Sequence, residues 1–118
     1  MKVKAKVFYQ DFSKNIHGHY NDALLIFKPE TAVFIHEFEV NVDTFDKSIS
    51  DMSGIRNDIA GHCYEQLNIN EPLKTSLQPV CKKIGHTSMS IGDYVQFEDG
   101  EVWLCKSNGW KIIKPEKT

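Results

Sequence analysis

Two dipeptides near the C-terminus, Asp99-Gly100 and Asn108-Gly109, constrain the fold of this chain more than any other feature. Each lies between short runs of apolar and aromatic residues. Such dipeptides favour two-residue type I′ turns, because both central residues of those turns have positive φ. Residues 88–113 are therefore predicted to form a three-stranded antiparallel meander.

The turn length also predicts the strand register. Loops of two residues would place Phe97 opposite Val102, and Cys105 opposite Ile112. A slip of one residue at either turn would exchange the faces of everything beyond it. With this register, one face carries Val95, Phe97, Val102, Leu104 and Ile113, and the other carries Tyr94, Trp103, Cys105, Trp110 and Ile112.

The second face is as apolar as the first and far more aromatic, and two interpretations of it stay open. It packs against the rest of the chain as core, or it leaves Tyr94, Trp103 and Trp110 exposed as a partner-binding patch. The second interpretation rests on the frequency of large aromatic residues among the anchors of protein interfaces.

The N-terminal part, residues 1–42, is predicted to contribute three strands. Residues 2–10 alternate lysine with apolar residues, which is the pattern of a half-buried strand. Residues 23–28 form a second apolar run, and Pro29-Glu30 indicates a hairpin turn before a strand over residues 31–42. Its predicted faces are Phe34, His36, Phe38, Val40 and Val42 on one side and Ile35, Glu37, Glu39 and Asn41 on the other.

A helical segment is predicted over residues 43–67, with Asp43 or Thr44 as the N-cap. Ser53-Gly54 indicates a break between two helices. The second helix follows from apolar residues at four-residue steps: Ile55, Ile59, Cys63 and Leu67. Residues 68–87 contain two prolines and little periodicity, which predicts a long, mobile crossing connection to the meander.

With 118 residues, the chain is predicted to be a single α+β domain spanning 1–118: an antiparallel sheet, one or two helices and the meander, which could curl into a half-barrel. Three widely spaced cysteines give no paired zinc motif, so reduced, buried thiols are expected. The longest apolar run is far too short for a membrane span, and the N-terminus lacks the apolar block of a secretory signal. A cytoplasmic protein is expected, within the host cell if the gene belongs to a phage.

Charge is unevenly distributed along the chain. Residues 37–71 hold 2 basic and 8 acidic side chains, a net −6, whereas the segments before and after it each carry +2. These acids are a solvated face or a surface for a partner protein with a basic surface. The acidic candidates for partner binding are Glu37, Glu39, Asp43 and Asp46.

Residues that could support chemistry are few, and no cofactor is expected. His17 and His19 have the spacing of two metal ligands on one side of a strand, with His36, His62 or His86 as a possible third, which leaves a metal-dependent enzyme as one alternative. His62-Cys63 lacks the geometry of a thiol nucleophile and its base. Turn stabilisation is the favoured role of a further cluster, Ser88, Ser90, Asp93 and His86.

A small β-domain that binds single-stranded nucleic acid is another alternative. Lys82, Lys83 and His86 precede the meander, and with Trp103 and Trp110 they could form a basic, aromatic surface. The acids around Asp99-Gly100 would repel phosphate at the neighbouring hairpin tip, which makes nucleic acid the less favoured partner.

The order Ser88-Met-Ser-Ile-Gly-Asp-Tyr-Val95, then Asp99-Gly100, Trp103-Leu-Cys105 and Gly109-Trp110-Lys-Ile112 resembles the closing module of small accessory proteins of bacteriophages and other mobile elements. The resemblance covers residues 85–113, and more weakly 32–60. Residues 54–82 depart from it, since that family's pattern has a shorter acidic and aromatic link there. The resemblance implies a phage or mobile-element setting and an action on host functions or host defence. Together with the uneven charge and the absence of catalytic motifs, it favours a non-enzymatic protein that binds and inhibits a host protein, such as a defence effector.

Overall fold

The computed structural model of the protein describes residues 2–11, 27, 29–41, 52–85, 89, 91–106 and 108–114, with side chains of the first helix given from residue 54. It confirms the α+β class. The strands are β1 (Lys2–Gln10), β2 (Ala32–Asn41), β3 (Tyr94–Phe97), β4 (Val102–Cys105) and β5 (Trp110–Ile113), and the helices are α1 (Met52–Ile69) and α2 (Glu71–Ile84). The strands form one open antiparallel sheet in the order β2-β1-β3-β4-β5.

The alternating N-terminal sequence forms β1 as predicted. Its odd-numbered residues Ala5, Val7 and Tyr9 are buried, whereas Lys2, Lys4 and Lys6 are exposed. β1 pairs with β2 on one side and β3 on the other, so it joins the N-terminal hairpin to the C-terminal meander. Of the predicted strand over residues 23–28, only Phe27 lies among the described residues.

β2 departs from strict alternation because it contains a β-bulge. Val7 pairs with His36 and Phe8 with Phe34, so Ile35 is an extra residue on β2. A bulge of this kind shifts side-chain parity beyond it. The prediction that Phe34 shares a face with His36 is therefore wrong, and Ile35 is buried instead. A 3-10 turn at Pro29–Thr31 leads into the strand at the position of the predicted turn. The strand that would complete the predicted hairpin lies, apart from Phe27, outside the described residues.

The C-terminal strands form the predicted meander, but the predicted register is wrong. Val95 pairs with Trp103, because the loop has three residues and the amide N of Phe97 bonds to the carbonyl O of Glu101. Gly100 has φ 93°, while Asp99 keeps a negative φ. This combination gives a type I turn followed by a bulged glycine, an alternative to type I′ for the same dipeptide.

The second hairpin also differs from the predicted pairing, by two residues. Cys105 pairs with Trp110, and Trp103 pairs with Ile112. Because a shift of two residues preserves side-chain parity, the predicted face-sharing of β4 and β5 is correct. Only the step from β3 to β4 exchanges faces, so Trp103 lies beside Val95 and away from Tyr94.

α1 confirms the predicted helical face and corrects its start. Ile59, Cys63 and Leu67 are each at most 1% exposed, at the four-residue spacing expected for one side of a helix. Ser53 and Gly54 lie within the helix, so the predicted break at that pair is wrong. Of the predicted helix that starts at Asp43 or Thr44, only Met52 is described, and it opens α1.

α2 replaces the connection predicted over residues 68–87. Asn70 caps its N-terminus by accepting a hydrogen bond from the amide N of Leu73 at 3.2 Å, and Pro72 lies in the first turn, where its missing N–H is tolerated. Gly85 ends the helix with φ 69°. A stripe on one side packs on the core: Leu73, Leu77, Val80, Cys81 and Ile84. Pro72 and Pro79 argue against a helix in the sequence, so the apolar periodicity alone did not predict one.

Both helices cover the same face of the sheet and form the main core with it. Side chains of β1, β2, β3 and β4 meet α1 and α2 in one buried cluster. Each fully buried aliphatic or aromatic side chain there contributes about 1.5–3 kcal/mol relative to exposure. The opposite face of the sheet has a smaller apolar cluster at one end, made by Phe8, Phe27, Ala32, Ile91, Tyr94, Val102, Leu104 and Ile113.

Candidate functional site

An open groove separates α1 from β5 at one end of the molecule. It has a volume of about 190 Å³ and is lined by Gly61, Tyr64, Cys105, Lys106, Gly109 and Trp110. We call it the Trp110 groove. Tyr64 and Trp110 form its aromatic walls, with ring centroids 6.5 Å apart and ring planes at 90°. Gly61 opens its floor, since a Cβ added there would meet nothing within 4 Å.

Two large apolar side chains are exposed in this region, one lining the Trp110 groove and one further along β5. Tyr64 is 43% exposed, and Ile112, on the same side of β5 as Trp110, is 42% exposed. Trp110 is half-buried against the main core. The groove therefore offers one anchored indole and one partly exposed phenol ring on a concave surface, and the side chain of Ile112 is exposed further along β5. Chemically, it can bind an apolar or aromatic group of a partner.

A second constellation, the Arg56–Glu101 cluster, ties α1 to the β3–β4 hairpin. Arg56 Nη1 lies 2.9 Å from Glu101 Oε1, and Arg56 Nη2 lies 3.1 Å from Asp99 Oδ2. The guanidinium also sits over the Phe97 ring, 4.7 Å from its centroid. Trp103 Nε1 donates to Glu101 Oε1 at 2.8 Å, and the Lys114 ammonium pairs with Glu101 Oε2.

The Glu101 carboxylate is almost fully buried, yet it remains charged. Burial alone would raise its pKa, but hydrogen bonds from Lys114, Trp103 and Arg56 lower the pKa of Glu101 to about 2. The side chains of Arg56 and Glu101 are only 13% and 6% exposed. This cluster is therefore a structural junction that fixes the indole of Trp103, and its guanidinium and its Glu101 carboxylate are hardly accessible to a ligand.

The three aromatic residues predicted to share one face of the meander do not do so. Tyr94 and Trp103 are each 3% exposed and lie on opposite faces of the sheet. Tyr94 stacks on Phe8 at 4.8 Å, and burial followed by the charge of Glu30 raises the pKa of Tyr94 to about 12. Only Trp110 remains partly accessible, so the predicted aromatic patch reduces to the Trp110 groove.

The acidic candidates are dispersed. Glu37 and Glu39 lie exposed on the face of the sheet that is not covered by the helices, opposite Lys6 and Lys4 of β1. Lys2 Nζ approaches Glu39 Oε1 to 3.2 Å. Asp43 and Asp46 lie outside the described residues. Of the described acids between residues 37 and 58, Glu37 and Glu39 lie on β2 and Asp58 lies on α1.

The predicted metal ligands and catalytic candidates do not assemble in the described part of the chain. His17, His19, His86, Ser88 and Ser90 lie outside it, and no group of three metal-ligating side chains occurs among the described residues. The ring of His36 packs edge-on against Phe38, with centroids 4.7 Å apart, and burial lowers its pKa against the opposing effect of Glu37.

The three cysteines, Cys63, Cys81 and Cys105, are free and buried, as expected. Burial raises the pKa of the Cys63 thiol to about 12, which keeps it protonated and a poor nucleophile near neutral pH.

Asp93, a member of the predicted cluster with Ser88, Ser90 and His86, links the meander to β1 and is buried. It is 0% exposed, and its Oδ1 accepts the amide N–H of Gln10 at 2.8 Å. The Gln10 side chain in turn donates to the carbonyl O of Gly92 and accepts from Thr31 Oγ1 at 2.6 Å. These bonds fix the end of β1 against the Gly92-Asp93 turn, in agreement with a structural role.

Sequence reasoning missed Gly61, Tyr64 and Arg56. Tyr64 and Gly61 lie on the side of α1 away from its apolar stripe, where a lone tyrosine and a glycine carry no periodic signal. Their spacing of three residues on a helix does place them on one face, and that was the one available indication. Arg56 could be paired with Glu101 only after the hairpin had been placed in space.

Comparisons with known proteins add no identity: no family model, no curated protein and no solved structure matches this chain. Within the described residues, no helix is long and apolar enough to cross a membrane.

Proposed function

We propose that this chain acts by binding a partner protein, as an accessory protein of a phage or mobile element that inhibits a host protein such as a defence effector. The observation that supports binding is the Trp110 groove, where the aromatic side chains of Tyr64 and Trp110 line a concave surface that no described residue fills. The host setting is inferred from the sequence resemblance of residues 85–113.

The groove has the composition typical of an interface anchor point. Tryptophan and tyrosine dominate interface hot spots, because they bury a large area at a small cost in side-chain entropy. The Trp110 ring is already held by core contacts, so little ordering is needed when a partner binds. Lys106 at the rim can pair with a carboxylate that flanks an inserted apolar group.

Single-stranded nucleic acid is a weaker candidate in this geometry. Base stacking needs an exposed ring face. Trp103 is 3% exposed and its indole N–H is bonded to Glu101, so it offers no such face. Trp110 alone would remain, half-buried, beside a single lining lysine.

The test is capture of host proteins by purified, tagged protein, comparing wild type with a Tyr64→Ser/Trp110→Ser double variant. Ile69→Ser is the matched control, because Ile69 is 61% exposed at the end of α1 and does not line the groove. We expect one host protein to be enriched by wild type and the control and lost with the double variant. Equal capture by all three would reject the groove, and quenching of tryptophan fluorescence by oligonucleotides at low salt would favour the nucleic-acid alternative.

A further inference from the structure

The long outer edge of β2 carries an inference beyond the Trp110 groove. β2 spans ten residues, about 33 Å at the usual rise of an antiparallel strand. It pairs with β1 on one side and with no strand of the described chain on the other. Along residues 36–40, the outward backbone groups of such an edge can hydrogen-bond an added strand.

Charges on the face of the sheet away from the helices alternate from strand to strand. On β1 the exposed side chains are Lys2, Lys4 and Lys6. Lys4 and Lys6 lie directly opposite Glu39 and Glu37 of β2, and Lys2, opposite Asn41, forms an ion pair with Glu39. Glu98, just after β3, reaches back to β1, where its Oε1 accepts the amide N–H of Lys4 at 3.3 Å. On this face, the charges are therefore acidic on β2, basic on β1 and acidic just after β3. A strand added beyond β2 would be favoured if it carried basic side chains on the same face.

The other side of the same edge is apolar. Phe38 lies half-buried between Glu37 and Glu39 in sequence, faces the helices and packs on the main core. His36 lies beside it, with the two rings in edge-to-face contact. An added strand would therefore meet carboxylates on one face and an aromatic rim on the other.

One symmetric pairing of two copies at this edge is unfavourable. Antiparallel self-pairing centred on Phe38 would place Glu37 of each copy opposite Glu39 of the other. Like charges directly opposite each other destabilise a strand pair. The same carboxylates favour a strand with Lys or Arg at every second position.

We propose that the outer edge of β2 binds an extended basic segment of a partner protein by β-strand addition. Basic side chains at every second position pair with Glu37 and Glu39, and the apolar residues between them contact Phe38. The bulge at Ile35 limits the regular edge to residues 36–40, so the segment recognised is about five residues long.

The test uses purified protein and a fluorescent synthetic peptide with three lysines alternating with valine and threonine, followed by anisotropy at low salt. A Glu37→Lys/Glu39→Lys variant is expected to bind the peptide at least about tenfold more weakly, because two favourable cross-strand pairs become repulsive. Glu37→Gln/Glu39→Gln is expected to weaken binding about threefold. The matched control is Glu65→Lys/Glu71→Lys, which adds the same charge on exposed helix positions and should change affinity less than about twofold.

Two further peptides separate strand addition from general charge attraction. A peptide with the same composition but consecutive lysines, and one N-methylated on every residue to remove its backbone donors, should both bind at least about tenfold more weakly. Equal binding of either peptide, or an equal loss in the helix control, would overturn the proposal. So would a homodimer in sedimentation that the peptide dissociates. Because these measurements need no host partner and leave the Trp110 groove intact, they fail or succeed independently of the proposed function.

Discussion

The indole N–H of Trp103 donates a hydrogen bond to the carboxylate of Glu101, with 2.8 Å between Nε1 and Oε1. Glu101 immediately precedes β4, and Trp103 is its second residue. The bond closes a cluster in which Arg56 of α1 and Lys114 beyond β5 bind the same carboxylate. It assigns Trp103 to the core and leaves Trp110 as the accessible indole of the described chain.

Replacement of Glu101 should therefore be strongly destabilising. Glu101→Gln leaves Arg56 and Lys114 without their shared carboxylate, and loss of one partner of a buried ion pair costs about 3–5 kcal/mol. We expect the free energy of unfolding, measured by urea titration at pH 7, to fall by about 3 kcal/mol. Glu98→Gln, at an exposed position in the same hairpin loop, should change it by less than about 0.5 kcal/mol. A small effect of Glu101→Gln would show that the cluster contributes little.

The same carboxylate predicts a pH dependence of stability. The folded-state pKa of Glu101, about 2, lies below its ordinary value of 4.5. A group with a depressed folded-state pKa stabilises the protein above its ordinary pKa, and this contribution is lost as the pH falls towards the folded-state value. Stability should thus decline between about pH 4.5 and pH 2, and the decline should be shallower in Glu101→Gln. Parallel pH profiles of the two proteins would contradict the assignment.

Much of the N-terminal half could be predicted from the sequence, because one face in water and one in the core enforce a period of two. β1 follows directly from this alternation. The buried face of α1 follows from apolar residues at four-residue steps. The register of the β3–β4 hairpin could not be predicted, because Asp99-Gly100 is compatible with a type I′ turn and with a type I turn followed by a bulged glycine. The choice between them decides which face of the sheet each side chain from Trp103 onward occupies. The bulge at Ile35 likewise has no local sequence signal.

α2 shows a different limit. Pro79 in the sequence argues against a continuous helix, yet α2 continues through it because the apolar stripe of the helix packs on the core. A proline in a helix interior is about 3 kcal/mol less favourable than alanine. Pro79→Ala should therefore raise the free energy of unfolding, by up to about 3 kcal/mol.

Pro72 provides the matched control for that experiment. It lies in the first turn of α2, where an N–H has no partner within the helix, so Pro72→Ala should change stability by less than about 1 kcal/mol. Equal effects of the two substitutions would mean that residue 79 does not lie in a continuous helix.

Gly61 offers a stabilising substitution that leaves the groove open. It lies exposed in the interior of α1, and a Cβ there meets nothing within 4 Å. Gly61→Ala should raise the free energy of unfolding by about 1 kcal/mol, the difference in helix propensity. Thermal or urea unfolding measures this directly, and a loss of stability would indicate that the floor of the groove is already occupied.

The affinity of the captured host protein for Gly61→Arg relative to Gly61→Ala tests the central claim most directly. Neither substitution removes a side-chain contact, because glycine has no side chain to lose. Gly61 lines the Trp110 groove, so arginine adds a long, charged side chain at its wall, whereas alanine adds one methyl group. Titration calorimetry with the purified partner should show wild-type affinity for Gly61→Ala and at least about a tenfold loss for Gly61→Arg, a difference of about 1.4 kcal/mol. Equal affinities for the two variants would contradict partner binding at the Trp110 groove.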